Sequence, residues 1–366
     1  MYIKNIKLKD FRNYSDGGCE FTPGINVVYG QNASGKTNLL EALHILSSAK
    51  SHSFAPENEF IAFGKDLAFI KGDFFSASRL NHVEMAFSRD KKRSIKLNKV
   101  PVFKTSEMLG KLNVVFFSPD NLRIVKGSPS ERRRFLNLAL CKTNYRYTNT
   151  LLSYNKVLQQ RNRLLKVSTD KPSLKDQAVT FGEQLAEYGS YIVLQRKLFL
   201  KRLSEIAAYH QESIAGERLD LCYDAFALSS AELDSCESIK HLLMLYMHKN
   251  LEREILNRQT LFGPHRDDFS IKINGEDAKN YASQGQHKTV VLALKFAEFD
   301  LLAENSGEAP TLLLDDILSE LDDRRISYIF KKFLNFQVII TCTNRNFFDI
   351  IKEVNYIFSE DIKNSC

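Results

Sequence analysis

Cysteine pairs, long apolar runs and low-complexity stretches are all missing from this 366-residue chain. Its six cysteines (Cys19, Cys141, Cys222, Cys236, Cys342 and Cys366) are scattered, with no C-x-x-C pair and no histidine cluster at zinc spacing. That pattern argues against a zinc site or a disulfide framework and for reduced thiols. No stretch approaches the roughly 18 uncharged residues of a membrane span, and the opening MYIKNIKLKD alternates apolar with polar residues where a secretory segment would carry an apolar core. The expectation is a cytoplasmic protein with no membrane partner. No internal repeat is visible, so the organisation has to be read from periodicity and motifs. What is present suits an ordinary globular core: 43% hydrophobic and 26% charged residues, in a length that allows about two to three domains.

One short stretch, GQNASGKTNLLEAL (Gly30 to Leu43), matches G-x-x-x-x-G-K-[ST] in full through Gly30, Gly35, Lys36 and Thr37. The apolar run INVVY before it reads as a strand, and Leu39, Leu43 and Leu46 after it fall at helical spacing. In that context the backbone N–H groups of Gly30, Gln31, Asn32, Ala33, Ser34 and Gly35 converge on phosphates, aided by the positive end of the helix. Lys36 is expected to neutralise the β and γ phosphates of a bound nucleotide, and Thr37 to ligate Mg²⁺. Such a loop also needs carboxylates at the end of a buried strand. TLLLDD (Thr311 to Asp316) provides them: Asp315 is the expected Mg²⁺ residue and Asp316 the candidate base. Two adjacent acids after a strand apolar on both faces are costly to bury without a cation.

About 280 positions separate Lys36 from Asp315, more than a compact phosphotransferase needs. From Ser130 to about Gly216 turn signals are few apart from STDKPS (Ser168 to Ser173), which reads as a helical hairpin. Its second arm carries Ala178, Leu185, Ile192, Phe199 and Ile206 every seven residues, compatible with a coiled-coil seam or with an ordinary core helix. In the N-terminal segment, Asp16-Gly17-Gly18 and Pro23-Gly24 read as breaks between hairpin strands, and FSIKINGED as a hairpin around Asn274-Gly275. The expected division is an ATPase part over 1–125, an inserted helical arm over 126–258, and the second ATPase part over 259–366. Before the acidic strand, Ser283 begins S-x-G-Q at a helix start, where Ser283, Gly285 and Gln286 present a hydroxyl, N–H groups and a dipole end suited to a γ-phosphate. A plain helix cap accounts for the same residues.

The net charge of +7 is concentrated. From Asn121 to Lys166 eleven Lys or Arg face one acid, Glu131, and Ser88 to Lys104 holds seven basic residues against Asp90. Solvated helix faces normally mix signs, so the segregation favours phosphate contacts. Arg132, Arg133, Arg134, Lys91, Lys92 and Arg93 are the expected DNA contacts. An anionic protein partner, or arginines bracing the arm, remain open at this level.

FRNY (Phe11 to Tyr14) before the phosphate loop, then SPDNLRIVKGSPSERRRFLN, GPHRDDFSIKING, SQGQHKTVVLALKFAE and LLLDDILSELDDRR, together resemble the SMC-like ATP-binding-cassette (ABC-type) ATPases of chromosome maintenance. The resemblance covers most of the chain and is least specific from Thr148 to Asp234. It implies an α/β P-loop ATPase head with an inserted helical arm, acting as an ATP-dependent DNA clamp that helps load recombinase at single-stranded gaps next to duplex DNA. It further implies an ATP-dependent homodimer, recombination mediator proteins as partners, double-stranded, gapped or junction DNA as ligand, and a nucleoid-associated location. By the same resemblance Ser283, Gly285 and Gln286 contact the partner copy's ATP, LSELD (Leu318 to Asp322) crosses the dimer interface, and Arg12 and Asn13 lie near the nucleotide. Two departures matter. Gln284 stands where a second glycine is usual, and Asp316 stands where a glutamate base is usual; the shorter acid implies slow hydrolysis, and the resemblance implies that DNA stimulates it. Thr341 and Thr343 stand where transporter cassettes place a histidine, making them weak candidates for γ-phosphate sensing. His265 reads as a turn residue. The rival readings are a transporter cassette, which leaves the basic arm unexplained, and a P-loop phosphotransferase, which gives SQGQ no role.

Overall fold

A computed structural model describes residues 1–51, 56–167, 172–225, 234–343 and 353–364. The chain divides into two compact units, one formed by Met1–Asn121 with Lys295–Cys366 and the other by Leu122–Leu294.

The first unit holds two sheets. β1 (Tyr2–Phe11) and β2 (Tyr14–Glu20) form an antiparallel hairpin that continues through β4 (Leu67–Ser76), β5 (Arg79–Ser88), β6 (Ser94–Leu97) and β7 (Val100–Pro101), in the order β2-β1-β4-β5-β6-β7. The second sheet is parallel throughout and runs β14-β3-β13-β12-β8, with β3 at Ile25–Tyr29, β8 at Val114–Phe117, β12 at Thr311–Asp315, β13 at Val338–Cys342 and β14 at Val354–Phe358. β12 and β13 are buried at every position, as expected of parallel strands covered on both faces. Helix α1 (Lys36–Ser48) places Leu39, Leu40, Leu43, Ile45 and Leu46 in one core with Ile6 and Ile70 of the antiparallel sheet and Leu313 and Ile339 of the parallel one. Each such side chain contributes about 1.5–3 kcal/mol of burial, so α1 is fixed firmly and the loop at its N-terminus with it.

The hairpin turn between β1 and β2 falls at Arg12-Asn13, with Arg12 at φ 52°, and not at the glycines expected to break the strand. Gly17 and Gly18 lie inside β2 for a tertiary reason: a Cβ on Gly17 would stand 2.3 Å from the Ile362 carbonyl oxygen. Close backbone approach, and not a turn, selects glycine there.

In the second unit, α2 (Arg123–Lys126) leads into α3 (Pro129–Thr143), α4 (Tyr145–Val167) and the 44-residue α5 (Pro172–Ala215). The turn expected at Ser168 to Ser173 lies largely outside the described residues. α5 is buried on two faces. Leu185 and Ile192 pack with Tyr147, Tyr154 and Val157 of α4, while Ala186 and Val193 pack with Ile239 and Leu243 of α6 (Cys236–Lys249). The heptad positions therefore mark one of two packed stripes on an ordinary core helix and not a two-helix coiled coil. α7 (Leu251–Asn257) follows α6.

The second unit also extends past the expected boundary at 258. β9 (Leu219–Asp224) pairs antiparallel with β10 (Asp268–Ile273), which turns at Asn274-Gly275 into β11 (Glu276–Asp277). Asn274 at φ 52° and Gly275 at φ 91° give the hairpin geometry read from the sequence. α8 (Ala278–Tyr281) and the first half of α9 (Gln284–Ser306) belong to the same unit, and the division falls inside α9 at Leu294 and Lys295. The first unit is completed by α10 (Asp323–Phe333) and α11 (Ser359–Asn364).

Candidate functional site

The phosphate-loop residues Gly30 to Gly35 connect the buried strand β3 to α1. Gly35 is the N-cap of α1 at φ 106° and offers no side-chain cap, so the first-turn N–H groups have no side chain to satisfy them. A Cβ at Gly35 would lie 2.7 Å from Asn13 Nδ2 and 3.0 Å from the Tyr14 hydroxyl. Asn13 also accepts from Asn38 Nδ2 at 2.9 Å, and the Tyr14 hydroxyl donates to the Gly35 carbonyl at 3.1 Å. The FRNY turn thus braces the loop through Asn13 and Tyr14. Arg12 instead directs its guanidinium to both carboxylate oxygens of buried Glu41 on α1, at 3.0 and 3.2 Å.

The buried Lys36 ammonium donates to the carbonyls of Gly30 (2.8 Å) and Gln31 (2.7 Å), which holds its charge at the mouth of the loop. Burial pushes its pKa down, while Asp316, Cys342 and Asp315 oppose that shift. Thr37 Oγ1 donates to Asp315 Oδ1 at 3.0 Å, joining residues 278 positions apart. The strand order explains how. β13 lies between β3 and β12, and all three are parallel, so their C-terminal ends open on the same edge. Thr341, fully buried on β13, fills the gap. It lies 2.8 Å from Asp315 Oδ1 and accepts the Asp316 N–H at 3.0 Å. Burial raises the pKa of Asp315, against hydrogen bonds from Thr341 and Thr37, and its neighbour Asp316 raises it further. Asp316, half-buried and at φ 48°, is raised by burial, with Lys36 opposing and Glu320 reinforcing. Two acids held close in a partly dry site favour a bound cation, and Thr37 Oγ1 and Asp315 Oδ1 are the hard oxygen donors that Mg²⁺ prefers. Among the described residues no group of three or more His, Cys, Asp or Glu forms a metal site.

Ser283, Gly285 and Gln286 lie in the second unit at the start of α9. The exposed Ser283 hydroxyl accepts from Gln286 N (3.2 Å), and Gln286 Oε1 accepts from Ser283 N (2.8 Å), forming a capping box. Gln286 Nε2 also donates to Glu217 at 2.8 Å, fixing that side chain. In LSELD, Ser319 and Glu320 are exposed, as is Asp322, while Leu318 is buried.

The expected DNA contacts divide sharply. Arg132 is only 7% exposed and gives both fork nitrogens to Asp268 at 2.7 Å, plus a bond to the Gly127 carbonyl. Arg133 donates to the Asp267 carbonyl at 2.7 Å, and Arg134 pairs with Glu131. Arg93 is held by the Ala49 carbonyl and Glu57. Arg132 is therefore committed to a partner within the protein, while Arg133, Arg134 and Arg93 are partly exposed and each also holds a protein partner. Lys91 and Lys92, by contrast, are exposed, and the same hairpin and the arm carry further lysines and arginines at their surfaces. The GPHRDD loop is structural in the same way as Arg132. His265 accepts from the Tyr154 hydroxyl (2.6 Å) and faces the Thr260 carbonyl (3.1 Å), and buried Arg196 donates to the Pro264 carbonyl at 2.6 Å.

A phosphate loop joined across a parallel sheet to a strand-end acid pair, with a helical unit inserted between them, defines an ABC-type P-loop ATPase head. The family model for the RecF/RecN/SMC N terminal domain matches residues 2–365. The chain belongs to that family, and within it to the RecF proteins. It is 39% identical over 345 residues to the DNA replication and repair protein RecF of Lachnoclostridium phytofermentans, covering 94% of this chain and 93% of that one. The corresponding protein of Agathobacter rectalis is 40% identical over 345 residues, covering 94% and 92%. A solved structure of the recombination mediator protein RecF with ATP in the RecFOR pathway is similar at a TM-score of 0.91 and 36% identity, covering 98% of this chain and 96% of that one. The Smc head domain from Pyrococcus furiosus, at 17% identity and a TM-score of 0.56, shares the fold. Among the described residues no helix is long and apolar enough to cross a membrane.

Proposed function

We propose that this chain is an ATP-dependent DNA-binding clamp of recombinational repair and replication-fork maintenance. Two copies close around two ATP molecules, grip duplex DNA beside single-strand gaps, and with mediator proteins aid recombinase loading. The observation that carries the ATPase half is the Thr37–Asp315 contact beside Lys36. Lys36 neutralises phosphate charge, Thr37 and Asp315 would hold Mg²⁺, and Asp316 takes the proton of the attacking water. When bound, Mg²⁺ would supply charge neutralisation to the nucleotide phosphates. The relatives named DNA replication and repair protein RecF and the ATP-bound RecF structure support the reading. The shorter acid at Asp316 makes hydrolysis slow, a timer for release more than a motor, with DNA as its stimulus.

The second half, a composite site, rests on Ser283, Gly285 and Gln286 standing far in sequence from the loop, at a helix start that the partner copy's γ-phosphate would meet. The exposed hairpin lysines Lys91 and Lys92 supply phosphate contacts that position DNA without reading its sequence. Light scattering tests the proposal: Mg-ATP should double the solution mass, and gapped duplex should co-elute only with the dimer. A particle that stays monomeric at saturating Mg-ATP contradicts it.

A further inference from the structure

Thr341 belongs neither to the phosphate loop nor to the acid pair, yet its hydroxyl touches both acids. It is fully buried in the centre of the parallel sheet, where its β13 position is paired with Asp315 on one side and Val28 on the other. One oxygen accepts the Asp316 N–H at 3.0 Å and donates toward Asp315 Oδ1 at 2.8 Å, with the Leu314 carbonyl a more distant acceptor at 3.5 Å. The left-handed backbone of Asp316, at φ 48°, is uncommon for a residue with a side chain and persists where neighbours over-determine it. The hydrogen bond from its N–H to Thr341 is a contact that does so. Thr37 reaches the same Asp315 oxygen at 3.0 Å, so the carboxylate is held by two hydroxyls.

We infer that Thr341 is a positioning residue that fixes the Asp315 carboxylate and the left-handed Asp316 backbone together, setting where Asp316 aims its side chain. Its hydroxyl faces the acids and acts through them, not on the γ-phosphate. The inference rests on the ATPase reading above. Two features of the hydroxyl make the role specific. It is at once donor and acceptor, so valine removes both bonds at nearly constant shape, and serine keeps both with one methyl fewer.

The test compares Thr341→Val, Thr341→Ser and Thr341→Ala. Thr341→Val should lower kcat for ATP hydrolysis at least tenfold while KM for Mg-ATP stays within about twofold, because loop and lysine are untouched. Thr341→Ser should restore kcat to within about threefold of the parent. In the nucleotide-free protein, amide exchange of the peptide holding Asp316 should accelerate in Thr341→Val and return to the parental rate in Thr341→Ser. Melting curves run alongside; if Thr341→Val fails to fold, Thr341→Ala against Thr341→Ser makes the same comparison without a branched methyl. A hydroxyl-free variant with parental kcat and parental exchange overturns the inference. So does a serine variant as slow as valine, which would reduce Thr341 to packing. A parent chain that hydrolyses no ATP overturns the ATPase reading and the inference with it, whereas an active parent beside an equally active valine variant overturns the inference alone.

Discussion

Arg132→Ala separates the two roles open to the arginine cluster of α3. The guanidinium makes two 2.7 Å bonds to Asp268, with 8% of the Arg132 side chain and 26% of the Asp268 side chain exposed. Breaking a buried charge pair by removing one partner costs about 3–5 kcal/mol. Asp268 regains part of its hydration when the arginine leaves, so the loss should fall at or just below the floor of that range, about 2–3 kcal/mol. With about 2–4 °C per kcal/mol for a unit of this size, the unfolding transition that includes the second unit should drop by about 4–12 °C. Removing Asp268 as well should cost less than the sum of the two single losses, since the arginine is then absent too. The assay has two arms. Differential scanning calorimetry reads the transition, and DNA affinity against salt is measured well below it. A lost phosphate contact would lower the slope of log affinity against log salt by about 0.9. Arg132→Ala should leave that slope unchanged, whereas Lys91→Ala with Lys92→Ala should lower it by about two with no shift in melting. An Arg132→Ala protein that melts like its parent and shows a shallower salt slope would refute the structural assignment.

Asp316→Asn should bind Mg-ATP normally and hydrolyse it at least about a hundredfold more slowly, as read by single-turnover kinetics; asparagine is chosen because it tolerates φ 48° as aspartate does. His265 carries a pH prediction. Burial pushes its pKa down to about 4, so between there and the unfolded value near 6.5 the unfolded chain binds the extra proton. Stability is therefore intact above about pH 6.5 and is lost as pH falls toward 4, by up to about 3 kcal/mol. Denaturant titrations across that window should show this fall, and His265→Asn should flatten it.

Local chemistry makes the nucleotide site legible in the amino-acid sequence. The phosphate loop is a contiguous motif, the acids follow an apolar run directly, and Asn274-Gly275 demands its turn whatever surrounds it. Features decided by distant partners are not legible in the same way. Gly17 and Gly18 imitate a turn, yet Gly17 is selected by the backbone of Ile362, more than 300 positions away. Arg132 reads as one of a DNA-facing cluster because its partner Asp268 stands 136 positions off. The arm reaches to Leu294 because β9 pairs with β10, a long-range choice that neither strand's pattern announces. Thr341 lies near a strand end, where its residue type suggests at most a weak γ-phosphate role. Its contact with both acids depends on β13 lying between β3 and β12, and nothing in the local sequence specifies that strand order.

The claim that two copies share each nucleotide site is tested most directly by complementation. Lys36→Met lacks the loop's charge and should bind ATP poorly with its fold intact, since the ammonium bonds to loop carbonyls. Ser283→Arg keeps the loop but places a bulky cation at the start of α9 and removes the hydroxyl that caps Gln286. Each variant alone should be nearly inactive. Mixed in equal amounts, they should recover part of the parental ATPase rate, because one site of the heterodimer pairs an intact loop with an intact S-x-G-Q. No recovery on mixing, together with full ATP-dependent dimerisation by Ser283→Arg alone, would contradict the shared site and leave Ser283 as a helix cap.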